Sequence, residues 1–230
     1  MSASSYIVGL DLGQASDYSA LCVVERAAAP DPANAGRLLN SFAVRHLHRW
    51  KLGTPYPVIV EDVAALGRRP PLPLSMLAMD GTGVGRAVVD LFRGAKLPLR
   101  LVPISITGGD REGSANGFLT VPKRNLVAVM QTLAQGRRFH IASGLADAKV
   151  LGKELQAFRV KINLTTGNET FEAWRERDHD DLVLAVALAC WLGNRPPSGG
   201  YSSGGERRPV EPTAEAIRQM GMPRGPFGGR

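Results

Sequence analysis

The stretch YIVGLDLGQASDYSALCVV, residues 6–24, joins two apolar runs through a short polar loop, and an aspartate ends the first run. Residues 7–12 predict a buried strand, and residues 20–26 predict a second strand that pairs with it as a hairpin. A carboxylate at the end of a buried strand is costly unless a hydrogen bond or a cation compensates it. Asp11 therefore either forms a turn into the following loop or serves as a ligand.

Alternating apolar segments divide the rest of the chain into strands and helices. After a Pro- and Gly-containing turn region at 27–36, a third strand of an antiparallel meander is predicted at 37–50. Two further strands are predicted at 74–79 and 99–106. Helices are predicted at 57–66, 86–93, 122–134, 145–158 and 181–192. Strands that alternate with helices are expected to pair in parallel through right-handed crossovers.

The remaining segments complete the predicted fold. Residues 107–117 predict a flexible loop suited to moving over a substrate, and residues 158–174 predict a late β-hairpin around TTGN. The expected fold class is therefore α/β, with a central mixed sheet of the five-stranded type flanked by helices. One domain is expected at 1–194, followed by a flexible tail at 195–230 that contains Pro, Gly, Ser and Arg.

Composition narrows the class of protein before any motif is considered. The chain has 230 residues, 44% of them hydrophobic, a formal charge of +7 and a pI of about 9.8. Such a surplus of basic residues favours an acidic partner such as nucleic acid. The two cysteines lie in apolar runs without metal-binding spacing, and no secretion signal or bilayer-length apolar segment occurs. These features predict a cytoplasmic protein.

Acidic residues stand where predicted strands and helices begin or end. Asp80 ends the fourth strand as Asp11 ends the first, and RDHDDLVLA places three aspartates at the start of the last helix: Asp178, Asp180 and Asp181. If the two strands are neighbours, their carboxyl ends meet at one edge of the sheet. Carboxylates brought together repel one another unless cations neutralise them, and their hard oxygen atoms suit Mg²⁺ or Mn²⁺. Each acid also has a structural interpretation, as a turn former or as a helix cap.

Five motifs, taken in order along the chain, resemble one family. They are GLDLGQASDYSALCVV, GTPYP, MDGTGVGRAVVD, VPKRNLV and HDDLVLAVALA. In this order they are similar to the C-terminal nuclease domain of phage terminase large subunits, which has the ribonuclease H-like fold. The similarity covers residues 6–193. The resemblance implies a metal-dependent endonuclease that cuts concatemeric phage DNA during genome packaging, in the cytoplasm of a bacterial or phage-infected cell.

The resemblance also implies which residues act. It places the metal ligands and catalytic residues at Asp11, Asp80 and Asp181, with Asp180 or Asp178 as a further supporting acid, and it implies two Mg²⁺ or Mn²⁺ ions but no nucleotide. The implied partners are double-stranded DNA and a separate packaging ATPase, small terminase or portal protein. The family carries an ATPase domain ahead of the nuclease. This sequence has no G-x-x-x-x-G-K-[ST] motif, so it is not expected to act as a packaging motor by itself.

Basic residues and rival functions complete the predictions. Five cations are predicted to contact DNA phosphates: Arg111, Lys123, Arg124, Arg137 and Arg138. Three other functions stay open on the sequence alone. A Holliday-junction resolvase uses a similar late pair of acids. An ATP-binding protein of the actin and sugar-kinase superfamily also has a D-x-G loop, here DLGQASD. A non-catalytic module would bind DNA without any need for metal.

Overall fold

The computed structural model describes residues 5–13, 17–31, 34–164 and 180–195, and its centre is one mixed sheet. The strands are β1 (Ser5–Asp11), β2 (Ala20–Asp31), β3 (Asn34–Arg49), β4 (Met76–Asp80), β5 (Arg100–Thr107), β6 (Gly113–Ala115), β7 (Phe118–Pro122) and β8 (Phe139–Ile141). The helices are α1 (Tyr56–Gly67), α2 (Gly85–Gly94), α3 (Lys123–Gln135), α4 (Ala148–Leu164) and α5 (Asp181–Asn194). Within these ranges, no helix is long and apolar enough to cross a bilayer.

The order of the strands across the sheet is β6-β7-β5-β4-β1-β2-β3-β8. β1, β2 and β3 form an antiparallel meander, and β4 and β5 extend it from β1 as parallel strands. The five central strands, β3-β2-β1-β4-β5, have the order and directions of the ribonuclease H-like fold, which confirms the predicted fold class. β6, β7 and β8 were not predicted. β6 and β8 have three residues each, which is too few to show a period, and β7 lies between the predicted loop at 107–117 and the predicted helix at 122–134.

Alternation along the strands sends successive side chains to opposite faces of the sheet. On β1, Leu10 packs into the core on the α1 and α2 side, whereas Ile7 packs into the core on the α5 side. Asp11 is four positions after Ile7, so its side chain belongs to the α5 face. On β4, Ala78 packs on the α5 side, and Asp80 follows it by two positions. Both aspartates are therefore directed to the same face.

Helix α5 is buried along nearly its whole length, because its sequence is a continuous apolar run after Asp181. It packs across β1, β2 and β4 and against α3 and α4. Gly9 permits its closest approach to the sheet, because a Cβ atom at this position would lie 2.0 Å from the carbonyl oxygen of Ala185. Only the hydrogen of a glycine fits between β1 and α5 at this point.

The predicted turn region at 27–36 is wrong for most of its length. β2 and β3 continue to pair through these residues, as far as the pair formed by Asp31 and Asn34. A shift in register between Pro30 and Asp31 accommodates the proline within the ladder. The turn-forming composition of the segment was therefore overridden by pairing between two long strands.

The predicted flexible loop at 107–117 is wrong in part, because β6 lies within it and pairs with β7. Glu112 also ties the segment to two helices. Its Oε1 accepts hydrogen bonds from Trp191 Nε1 at 2.8 Å and from Asn125 Nδ2 at 2.9 Å. Its Oε2 accepts a hydrogen bond from Arg195 Nη1 at 3.0 Å. The acceptor groups of one glutamate thus hold this segment against α3 and the end of α5.

The first strand of the predicted late hairpin, at 158–164, is wrong, because these residues form the end of α4. Leu151, Leu155 and Phe158 are spaced as on one face of a helix, and they pack into the core. No glycine or proline interrupts the chain between Phe158 and the end of α4, so the helix continues. The rest of that predicted hairpin and the tail beyond 195 lie outside the described residues.

Candidate active site

β1 and β4 are adjacent, which is the condition under which the sequence predicted that their acids converge, and they bring two of the predicted acids to one edge of the sheet. The strands run parallel with Leu10 opposite Met79, so Asp11 and Asp80 follow as the next residues on each strand. Both side chains are directed to the α5 face, and both residues are buried. The carboxyl ends of β1 and β4 therefore present two neighbouring carboxylates, and we call this side of the sheet the carboxyl edge.

Two close contacts give the direction in which α5 crosses the sheet. Near the start of the helix, Ala185 lies against Gly9, and near its end Gly193 lies against Ile7. Because Ile7 precedes Gly9 while Gly193 follows Ala185, the helix runs opposite to β1. The first turn of α5 therefore lies towards the carboxyl edge.

The first turn of α5 brings the third predicted acid to the same edge. Asp181 is one helical turn before Ala185, about 6 Å along the helix axis. Asp11 is two residues after Gly9, about 6.6 Å along the strand. Asp11 and Asp181 thus lie at similar distances from the contact between Gly9 and Ala185, and in the same direction from it. Relative exposures are 6% for Asp11, 2% for Asp80, 7% for Asp180 and 6% for Asp181.

Asp80 also forms the turn that its sequence context indicated. Its Oδ1 accepts hydrogen bonds from the backbone N–H of Thr82, at 2.8 Å, and from the Thr82 hydroxyl. The Thr82 hydroxyl oxygen in turn accepts the N–H of Ile106 at 2.7 Å. One carboxylate oxygen is thereby fixed relative to the ends of β4 and β5. The turn interpretation and the ligand interpretation are compatible, since a carboxylate has a second oxygen.

The capping interpretation does not hold for Asp180. This residue occupies the N-cap position of α5, yet its side chain makes no capping hydrogen bond. The backbone N–H of Val183 instead donates to Glu154 Oε2, at 2.8 Å, in a buried hydrogen bond. A side chain from α4 therefore performs the capping that the structural interpretation would give to Asp180.

Glu154 is a buried acid that the sequence analysis missed. Its pKa is raised from 4.5 to about 7. Burial is the largest cause and the charges of Asp181 and Asp180 add to it, while the Val183 N–H and Arg49 oppose the shift. A signal for it exists in the sequence. Glu154 is three residues after Leu151 and four before Phe158, so it is an acid on the apolar stripe of a helix.

Arg49 is a second residue that the sequence analysis did not name. It ends β3 and pairs with Ala20, which itself pairs with Asp11, so it lies at the carboxyl edge. Its Nη1 is 3.9 Å from Glu154 Oε1, and its guanidinium lies 4.4 Å from the centre of the Tyr18 ring. The acids at this edge are therefore accompanied by a partly buried cation, Arg49.

The loop that follows Asp11 is held at its beginning by Gly13. The N–H of Gly13 donates to Ser19 Oγ at 3.1 Å, and its carbonyl oxygen accepts the Tyr56 hydroxyl at 3.0 Å. These bonds connect the end of β1 with the start of β2 and with the first turn of α1.

The chemistry of the acids suits a hard divalent cation, but their described arrangement does not form a closed metal site. Three buried oxygens, Glu154 Oε1, Asp180 Oδ1 and Asp181 Oδ2, accept no hydrogen bond from the described part of the chain. Carboxylate oxygens are the donors that Mg²⁺ and Mn²⁺ prefer. Among the residues that the structure describes, no group of three or more His, Cys, Asp or Glu residues is arranged so that it could hold a metal ion. Asp178 and His179 lie outside the described residues.

The five cations predicted to contact DNA do not form one surface. Arg111, Lys123 and Arg124 lie between the end of β5 and the start of α3, near the carboxyl edge, and Arg124 pairs with Asp110. Arg137 and Arg138 directly precede β8, whose first residue is level with Phe42, near the opposite edge. Arg138 Nη1 donates to the carbonyl oxygen of Asn40 at 2.8 Å. Their contact with DNA stays a prediction.

Comparison with known proteins yields structural similarities. No family model matches the sequence, and no curated protein matches it. The nuclease of the large terminase from thermophilic phage G20c is 18% identical, with a TM-score of 0.47 and 81% of each chain covered. The human cytomegalovirus terminase nuclease domain, soaked with Mn, is 15% identical, with a TM-score of 0.47, and covers 83% of this chain and 84% of its own. Thermus thermophilus RuvC is 14% identical, with a TM-score of 0.33, and covers 82% of this chain and 93% of its own. The structures to which this chain is similar are thus two terminase nuclease domains and, with a lower TM-score, RuvC.

Proposed function

We propose that this protein is a divalent-metal-dependent DNA endonuclease. One observation carries the proposal: acids that are far apart in the sequence, Asp11, Asp80 and Asp181, are all buried and all lie towards the carboxyl edge of the sheet. Buried carboxylates that are close together destabilise the fold unless a cation or a proton neutralises them. Such an arrangement is easier to explain by ligand binding than by stability.

Within this proposal, Asp11, Asp80 and Asp181 would hold the ions, and Asp180 would support them. Two Mg²⁺ or Mn²⁺ ions, when bound, supply a more acidic water and stabilise the oxygen that leaves in phosphodiester hydrolysis. The chain's own contribution is to hold its carboxylates in place. Thr82 orients Asp80, and the contact of Ala185 with Gly9 sets the position of the helix that carries Asp181.

The proposed substrate is double-stranded DNA, bound mainly through its phosphates. The charge of +7 supports this choice, since phosphate contacts give affinity without much dependence on sequence. The finer role we propose is that of a terminase nuclease, which cuts concatemeric phage DNA and depends on a separate packaging ATPase. The five ordered sequence motifs support that role, and a packaging assay with the cognate ATPase would test it.

The test is cleavage of supercoiled plasmid in Mg²⁺ or Mn²⁺ by Asp80→Asn and by a matched control, Asp90→Asn. Asparagine retains the Oδ1 that accepts from Thr82, so we expect Asp80→Asn to fold normally and to lose cleavage. Asp90 is exposed on α2 and pairs with Arg93, and exposed pairs of this kind contribute little, so its variant should cleave as the wild type does.

Binding of Mn²⁺ gives a second measurement that does not depend on cleavage. A ligand that binds only the folded state raises the melting temperature. We expect Mn²⁺ to raise the melting temperature of the wild type but not that of Asp80→Asn. Undiminished cleavage by Asp80→Asn would refute the assignment. Stabilisation by ATP but not by Mn²⁺ would favour the actin-like alternative, and DNA binding without cleavage in either metal would favour a non-catalytic module.

A further inference from the structure

We propose that Glu154 is a positioning residue, which fixes the first turn of α5 from outside that helix and so places Asp180 and Asp181 at the site. The inference rests on the proposed nuclease function and adds a residue of α4 to it. Glu154 touches neither DNA nor a reacting atom in this proposal; it acts through the backbone of the helix that carries the two aspartates.

The first step of the argument concerns the end of α5. The first four N–H groups of a helix have no acceptor within the helix, and a buried N–H without an acceptor is costly. Val183 is the third residue of α5, and its N–H donates to Glu154 Oε2 at 2.8 Å. Both residues are buried, so water does not readily replace this acceptor.

The second step concerns what Asp180 does not do. Aspartate at an N-cap normally accepts the N–H of the second or third helical residue. The Asp180 side chain makes no such bond, although it occupies that position. Because Glu154 supplies the acceptor, the carboxylate of Asp180 is not committed to capping. An ordinary structural cap would have used the nearest aspartate, so a buried glutamate from another helix needs a different explanation.

The third step concerns the other contacts of Glu154. Its Oε1 is 3.9 Å from Arg49 Nη1 at the end of β3, and the Arg49 guanidinium lies over the ring of Tyr18. Tyr18 belongs to the loop that follows Asp11. Glu154 therefore contacts the start of α5 and the end of β3 directly, and Arg49 extends this connection to Tyr18. All three segments lie beside the proposed site, so the contacts of Glu154 bear on the position of the first turn of α5.

The experiment compares Glu154→Ala, Glu154→Gln and a control, Gln156→Ala, which changes an exposed residue of the same helix. Alanine removes the acceptor, whereas the glutamine amide oxygen can still accept the Val183 N–H. We expect Glu154→Ala to lower kcat by about 10- to 100-fold, the usual effect of losing a residue that orients metal ligands. We expect KM for DNA to change by less than about two-fold, because binding of the phosphates is not altered. Glu154→Gln and Gln156→Ala should retain most of the wild-type kcat.

Two measurements without DNA accompany the kinetics. Isothermal titration with Mn²⁺ should show weaker binding by Glu154→Ala than by Glu154→Gln. Hydrogen exchange should be faster at the Val183 amide in the alanine variant and unchanged in the glutamine variant. If Glu154→Ala fails to fold, Glu154→Gln alone decides. The positioning role would be overturned if Glu154→Gln folds and keeps slow exchange at Val183, yet loses as much activity or Mn²⁺ affinity as an Asp181 variant does.

The same experiments distinguish failure of the proposed nuclease function from failure of the proposed role of Glu154. If neither the wild type nor any variant cleaves DNA or binds Mn²⁺, the proposed function fails, whatever happens at Glu154. If the wild type cleaves and Glu154→Ala has an unchanged kcat and unchanged exchange at Val183, the function stands and the role of Glu154 is wrong.

Discussion

Replacing Gly9 by alanine would test the packing of α5 on β1, on which the position of Asp181 depends. The added Cβ atom would lie 2.0 Å from the carbonyl oxygen of Ala185 and 2.9 Å from the sulfur of Cys22. Ordinary contact begins at 3.4 Å, so the helix backbone would have to withdraw by about 1.4 Å, the difference between 3.4 and 2.0 Å. The obstructing atom belongs to the backbone of a buried helix, so no flexible side chain can absorb the change.

The expected cost follows from this geometry. Overpacking a core typically costs about 1–3 kcal/mol, and we expect Gly9→Ala at the upper end of this range because backbone has to move. About 3 kcal/mol lowers the melting temperature of a domain of this size by roughly 6–12 °C. Withdrawal of α5 also moves Asp181 relative to Asp11, and a displacement of about 1 Å can reduce a catalytic rate by about 100-fold.

Thermal unfolding followed by circular dichroism measures the first effect, and plasmid cleavage measures the second. Gly152→Ala is the matched control, since a Cβ atom at this position of α4 would meet nothing within 4 Å. Alanine lowers the conformational entropy of the unfolded chain, so that variant should be more stable by about 0.4–1 kcal/mol. A Gly9→Ala protein that unfolds at the wild-type temperature would refute the close packing of α5 on β1, and wild-type cleavage by it would refute the dependence of the site on that packing.

Two further predictions concern Thr82 and Glu154. Thr82→Val removes the hydroxyl that donates to Asp80 and accepts the N–H of Ile106. It should therefore lower the free energy of unfolding by about 1–3 kcal/mol and slow cleavage, whereas Thr82→Ser should keep both close to the wild type. Urea denaturation measures the stability of each variant, and the plasmid assay measures its cleavage. Because folding raises the pKa of Glu154 from 4.5 to about 7, its contribution to stability is fully present below pH 4.5 and is lost as pH rises through 7. Without divalent ions this loss should be about 3 kcal/mol, and Glu154→Gln should lack it; identical dependence of the unfolding free energy on pH in the two proteins would contradict the prediction.

The acids on the strands could be predicted because their positions follow from local rules. A strand alternates strictly, so an aspartate at its end has a defined face, and the carboxyl ends of adjacent parallel strands meet at one edge. Asp11 and Asp80 lie where that reasoning puts them. The burial of α5 likewise follows from its sequence, because the helix has no polar face after its first residue.

Glu154 could not be predicted in the same way, because its role depends on which helices pack together. Its partner Val183 is 29 positions away, and only the packing of α4 beside α5 brings the two into contact. The sequence shows that Glu154 is an acid on the apolar stripe of a helix. This marks it as unusual, but it does not show which residue it contacts. The arrangement of β6, β7 and β8 escaped prediction for a related reason, since such short strands are defined by the sheet they join rather than by their own pattern.

The burial of α5 has a consequence for how the protein folds. Arg26 Nη1 donates to the carbonyl oxygen of Gly193, 167 positions along the chain, and contacts of such separation slow folding because a long loop must close before they form. Among the described helices, α5 is the one that packs on the face of β1 and β2 that carries Ile7, Cys22 and Val24, so during synthesis this face waits for α5 to emerge. An apolar face that is exposed during synthesis is prone to aggregation, and chaperones are the general means by which cells protect such surfaces. Because the helix that covers this face also carries Asp181, the proposed site is complete only when α5 has packed on the sheet.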